Sequence, residues 1–146
     1  MFQGSHSINM DSKGRIAMPA RVRESLDTIC GGRIVITANY KDRCLLVYPE
    51  PKWQEIVSQI KALPNTSQAA RRLQLIVIGY ANELELDSNG RVLLAQTLRD
   101  YAGIDKKLML FGQMDRLELW SAEGWQTFID NQDFGEDTEE MKQLSL

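Results

Sequence analysis

Asp11-Ser12-Lys13-Gly14-Arg15-Ile16 returns 76 residues later as Asp87-Ser88-Asn89-Gly90-Arg91-Val92. Four of the six positions are identical, and the sixth is aliphatic both times. A repeat of this kind in a 146-residue chain means two copies of one structural unit. The match extends outward. Arg23 returns as Arg99, Ile34-Val35-Ile36 as Leu108-Met109-Leu110, Asp42-Arg43 as Asp115-Arg116, Tyr48 as Trp120 and Trp53 as Trp125. The offset slides from 76 to 72 along the way, and deletions in connecting turns are the simplest cause.

Each copy reads as strand, turn, strand, helix, strand, turn, strand, helix. In the first, His6–Met10 runs into the turn, where Gly14 suits a positive φ and Asp11 can accept from the turn's own amides. A strand follows over Arg15–Met18, then a helix over Pro19–Leu26 with proline in its first turn. Gly31-Gly32 breaks the chain before a hairpin of Arg33–Ala38 and Cys44–Tyr48, and a helix spans Pro51–Ile60. The second copy runs as strands Asn82–Leu86 and Arg91–Leu94, helix Gln96–Ala102, hairpin Lys107–Trp120 and helix Ala122–Ile129. Between the copies, Ala62–Ser67 holds turn formers, including Asn65, and an N-cap at Thr66 or Ser67. Gln68–Ile78 follows; within it Leu73–Ile78 could be a buried strand by its branched residues, but the apolar spacing favours a helix ended by Gly79.

This divides the chain into a first repeat (1–60), a connecting helix and linker (61–80), a second repeat (81–129) and a tail (130–146). One repeat of about 45 residues is too small to stand comfortably alone. Two copies that exchange hairpins about a pseudo-two-fold axis would close a common β-barrel and remove exposed strand edges. The expected class is α+β: an intramolecular pseudo-dimeric barrel with flanking helices.

The net charge of −3 looks wrong for a nucleic-acid binder, but it is unevenly spread. Residues 130–146 carry six acids against Lys142, whereas the other 129 residues hold 16 Lys and Arg against 14 Asp and Glu. A local basic face matters more for DNA than the whole-chain sum. An arginine beside a glycine turn, twice, suits phosphate or base-edge contact, because its fork makes bidentate hydrogen bonds. The candidate DNA-binding residues are Lys13, Arg15, Arg21, Arg23, Arg91 and Arg99, with Asp11, Gly14, Asp87 and Gly90 supporting the turns. Lys13 is matched by Asn89 and Arg21 by Thr97, so the first loop is the more basic reader. A blander reading stays open: each Asp–Arg pair merely stabilises its turn, and Arg23 and Arg99 serve ion pairs.

Other classes have little support. The chain has a single histidine, no CxxC and no Gly-x-Gly-x-x-Gly or P-loop, so no catalytic set, metal site, cofactor or small-molecule substrate is expected. No apolar run approaches the roughly 18 residues of a membrane span, and the opening residues lack a secretory pattern, so cytoplasmic residence is the expectation. Cys30 and Cys44 read as small hydrophobes, and the three tryptophans as core or protomer contacts rather than base-stacking platforms. The acidic tail reads as a solvated extension whose Met141 and Leu144 could dock on a partner.

The opening Met1-Phe2-Gln3-Gly4, the duplicated Asp-Ser-x-Gly-Arg, Cys44–Pro49, Glu118-Leu119-Trp120 and the closing Leu144-Ser145-Leu146 together resemble the bacterial MraZ family, across essentially the whole chain. That family sits among the AbrB-like swapped-hairpin proteins. The resemblance implies a nucleoid-associated transcriptional regulator of the division and cell-wall gene cluster that contains its own gene. It also implies rings of several protomers that bind short direct repeats in double-stranded DNA. Asp11 and Arg15 fill the family's first motif, Asp87 and Arg91 its second. The competing expectation is an AbrB-like antitoxin or other protein-binding module whose tail folds on its partner.

Overall fold

The structure is a computed structural model, and it describes residues 1–64 and 66–146; Asn65, one of the turn formers expected in the linker, lies outside them. The first repeat contains β1 (Ser5–Asn9), β2 (Arg15–Ala17), α1 (Ala20–Cys30), β3 (Arg33–Ala38), β4 (Leu45–Pro49) and α2 (Glu50–Lys61). Helix α3 (Gln68–Val77) connects it to β5 (Asn82–Glu85), β6 (Arg91–Leu93), α4 (Gln96–Ala102), β7 (Lys107–Gln113), β8 (Arg116–Ser121) and α5 (Ala122–Asp130). A one-turn helix, α6 (Glu139–Lys142), lies in the tail.

The repeats interlock through their strands. β1 pairs with β7 of the second repeat, with Ile8 opposite Leu108. Reciprocally, β5 pairs with β3 of the first repeat, with Leu84 opposite Ile34. β4 and β8 join the two hairpins at the centre. The result is one antiparallel sheet in the order β1-β7-β8-β4-β3-β5, beside a separate ribbon of β2 and β6.

The sheet is open, which corrects the expected closed barrel. β1 and β5 form its two edges and do not pair with each other. Closure fails because the chain turns sharply after each edge strand. β2 and β6 therefore leave the sheet and pair with one another, Ile16 opposite Val92. The ribbon covers one face of the sheet with side chains instead of hydrogen bonds. Ile16 and Val92 are buried in a core with Leu26, Leu45, Leu98 and Leu119. Fully burying each such side chain stabilises the fold by about 1.5–3 kcal/mol.

Alternation along the strands gives the sheet a second apolar face. In the first repeat this outer face, carrying Val35, Leu46 and Tyr48, is covered by Trp53 and Ile60 of α2 and Val77 of α3. The Thr37 hydroxyl donates to the Val77 carbonyl at 2.5 Å and ties α3 to the sheet. In the second repeat the outer face is aromatic: Phe111 and Trp120 pack with Trp125 and Phe128 of α5. All three tryptophans thus lie in side-chain clusters, and both cysteines are buried free thiols.

Element ends refine the sequence reading. Residues 68–77 are helical, capped by the Ser67 hydroxyl, which accepts from the Ala70 amide. The helix ends at Val77 and unwinds through turns over 78–80, and Gly79 has no positive φ to stop it. Helix α1 continues four residues past Leu26, to Cys30, where Gly31 adopts a left-handed φ of 62° and donates to the Asp27 carbonyl. Gly103 stops α4 with the same φ. Because α1 has 11 residues and α4 has 7, part of the offset slide falls within a helix rather than in connecting turns.

Candidate nucleic-acid interface

Each copy of the hexapeptide folds around its aspartate. The Asp11 carboxylate accepts from the amides of Lys13 and Arg15, both at 2.9 Å, and from Arg15 Nε at 2.8 Å. The Asp87 carboxylate accepts from the amides of Asn89 and Arg91, at 2.8 and 2.9 Å, and from Arg91 Nε at 3.2 Å. Gly14 and Gly90, at φ 83° and 72°, make the left-handed step that closes each turn. The amide of Arg15 holds the Asp11 carboxyl below its ordinary value, and the amide of Arg91 does the same for Asp87.

The Asp–Arg pairing expected of the blander reading is therefore made, but it occupies only one edge of each guanidinium. Nη1 and Nη2 of Arg15 and Arg91 have no hydrogen bond among the described residues. The aspartate aims each arginine while leaving its fork available for a ligand.

The ribbon sets the two arginines side by side. Its register places Arg15 opposite Leu93 and Arg91 opposite Ala17. Ile16 and Val92 point into the core, so Arg15, Ala17, Arg91 and Leu93 share the outer face. Arg15 and Arg91 are diagonal neighbours on that face, about 7–8 Å apart. The Met18 amide bonds to the Gly90 carbonyl, and the Leu94 amide to that of Gly14, both at 2.9 Å. One turn thus sits at each end of the ribbon, roughly 13 Å apart at about 3.3 Å per residue.

Arg23 and Arg99 occupy a place that sequence reasoning did not find. Neither makes an ion pair among the described residues. Arg23 of α1 crosses to the second repeat, where Nη2 donates to the Ser88 carbonyl at 2.6 Å. A Cβ at Gly90 would lie 2.8 Å from Arg23 Cδ. Arg99 of α4 mirrors it: its guanidinium lies 3.2 Å from where a Cβ at Gly14 would stand, and Nε donates to the Leu94 carbonyl. Each helix arginine packs over the other repeat's turn. Lys13 and Arg21 are exposed, and their side chains have no partner among the described residues.

Leu93 was also missed. It is 57 % exposed beside Arg15, where the first repeat has Ala17. Its position in the repeat, one residue past the buried Val92, was the available signal. The reciprocal arginine packing had none, since only the strand exchange brings Arg23 to Gly90.

No helix of the described residues is long and apolar enough to cross a membrane. The MraZ family matches residues 1–76 and again 77–145; it is described as "MraZ protein" and, provisionally, as antitoxin-like. The chain is 58 % identical to a protein of Saccharophagus degradans named transcriptional regulator MraZ, over the whole of both chains. Its identity to the transcriptional regulator MraZ of Marinobacter nauticus is 51 %, over 99 % of this chain and 98 % of that one. A third relative of that name, from Alkalilimnicola ehrlichii, is 48 % identical over 86 % of this chain and 84 % of its own. With both halves matched and full-length identity of this order, the chain belongs to the MraZ family.

Proposed function

We propose that this protein is a sequence-specific DNA-binding transcriptional regulator that uses the β2–β6 ribbon as its reading surface. The observation that carries the reading is the outward pair Arg15 and Arg91, each held by an aspartate with its Nη groups unbonded among the described residues. A two-stranded ribbon fits the major groove, about 12 Å wide, where arginine makes bidentate contacts to guanine. Lys13, Arg21 and the half-exposed edges of Arg23 and Arg99 supply phosphate contacts around it. The names carried by the relatives support this function and speak for a regulator rather than an enzyme.

One protomer offers few phosphate contacts. A ring of several protomers, each placing a ribbon on one of a series of short direct repeats, gains affinity through effective concentration. The proposed site of action is the promoter of the division and cell-wall gene cluster that includes its own gene. The test is a fluorescence-anisotropy titration of wild type and Arg15→Ala on DNA from upstream of that gene. Tight, salt-sensitive binding by the wild type and a large loss in the variant are expected; equal binding by both would remove the ribbon as the reader.

A further inference from the structure

Two surfaces outside the ribbon are left bare, and their chemistries complement each other. The first is an open groove of about 690 Å3 between α2 and α3. Val57, Ile60, Leu75 and Ile78 line it, with Lys61 and Arg71 beside them. Leu75 and Ile78 are 57 % and 41 % exposed, unusual for large apolar side chains that neighbour each other on one helix end. Neither Lys61 nor Arg71 has a side-chain partner among the described residues.

The second surface is the tail. Every residue from Asn131 to Leu146 is exposed, Phe134 by 80 % and Leu144 by 60 %. The tail is not featureless: Thr138 caps α6 by accepting from the Met141 amide. Met141 and Leu144, three residues apart, fall on one side of this helical turn and its continuation. Glu136, Asp137, Glu139 and Glu140 precede them with negative charge, and Lys142 pairs with Glu139 at 3.2 Å.

We propose that the tail of one copy docks in the α2–α3 groove of the next copy. Met141 and Leu144 cover Leu75 and Ile78, and the flanking acids meet Lys61 and Arg71. The tail of the same chain does not line the groove, so neither surface is satisfied within one polypeptide. A tail-to-groove contact joins two different patches. Such heterologous contacts repeat from copy to copy and close into a ring when the rotation allows. The inference rests on the self-assembly in the preceding reading and assigns it a contact. It also gives the acidic segment a task that keeps its charge away from the ribbon.

The test uses the full-length chain without DNA. Leu75→Cys and Leu144→Cys are made as separate single variants, mixed, and oxidised; the wild type, whose two thiols are buried, is the control. A disulfide-linked dimer containing one of each variant is expected. The absence of that dimer would overturn the proposal. A link confined to single chains of the Leu75→Cys/Leu144→Cys double variant would overturn it too, since the tail would then dock in its own groove. Independently, Lys61→Glu/Arg71→Glu weakens self-association about tenfold, and adding Glu139→Lys/Glu140→Lys recovers part of the loss. Sedimentation unchanged by the first pair would also overturn the proposal. Arg15→Ala, added to both single-variant backgrounds, must leave the cross-link between Leu75→Cys and Leu144→Cys unchanged, so loss of DNA binding and loss of tail docking are read separately.

Discussion

The turns at Gly14 and Gly90 have the same frame and different surfaces. In both, an aspartate accepts two amides and an arginine Nε at 2.8–3.2 Å, a glycine takes the left-handed step, and an arginine from the opposite repeat packs above. Within the turn and the strand that follows it, Lys13 becomes Asn89 and Ala17 becomes Leu93. The aspartate, glycine and arginine agree because a hydrogen bond or a backbone angle leaves no choice. Lys13/Asn89 and Ala17/Leu93 differ and face solvent, where the fold tolerates varied side chains; Ile16/Val92 differs inside the core and stays aliphatic. A duplicated scaffold thereby has two unlike ends: a basic one at Lys13 and a less charged one at Asn89.

The largest expected effect breaks the equivalence of the two arginines. Arg15→Ala lowers DNA affinity by about 10- to 100-fold, the scale of one lost bidentate contact at 1–3 kcal/mol. Arg91→Ala, at the less basic end, loses less; anisotropy titrations at one fixed salt concentration compare them. Equal losses would show that the flanking residues Lys13 and Asn89 do not matter.

The next effect concerns stability. Alanine at either glycine costs about 1–2 kcal/mol for the left-handed backbone alone. Gly90→Ala should cost more than Gly14→Ala, because its Cβ meets the Arg23 stem at 2.8 Å whereas Gly14 faces the Arg99 tip at 3.2 Å. Chemical denaturation of both variants measures the order. Arg23→Ala combined with Gly90→Ala should recover part of the difference.

A smaller change sharpens the charge asymmetry. Lys13→Asn reduces the slope of log affinity against log salt by about 1, and Asn89→Lys raises it by about 1. If neither slope moves, the loops do not approach phosphates.

The smallest effect is on pH. Both aspartates have lowered pKa values in the folded chain, so their contribution is present above the ordinary carboxylate value of 3.8. It is lost as pH falls through the still lower folded values. The amide resonances of Arg15 and Arg91 should therefore each move on acidification with a midpoint below 3.8. Movement near neutral pH would mean that the turns are not held by ionised carboxylates.

Much of this was legible in the residues. The repeat, the order of elements in each copy and the glycine turns follow from local chemistry: a positive φ wants glycine, a turn amide wants an aspartate, and a proline opens a helix. Helix α3 was legible by periodicity despite its branched residues. The open sheet was not, because local patterning specifies that a strand forms and not which strand it joins. Nor was the end of α1, where Thr28, Ile29 and Cys30 give no stop signal before the left-handed Gly31.

The amino-acid order alone set two copies of one unit, each with an arginine beside an aspartate-held glycine turn, since those features depend on contacts only a few residues long. Tertiary structure alone decided that β2 and β6 leave the sheet to form a ribbon, and that Arg15 and Arg91 share its outer face. It alone decided, too, that Arg23 and Arg99 cap each other's turns. These are relations across 65 to 85 residues of chain, created when each repeat completes its partner, and no local preference encodes them.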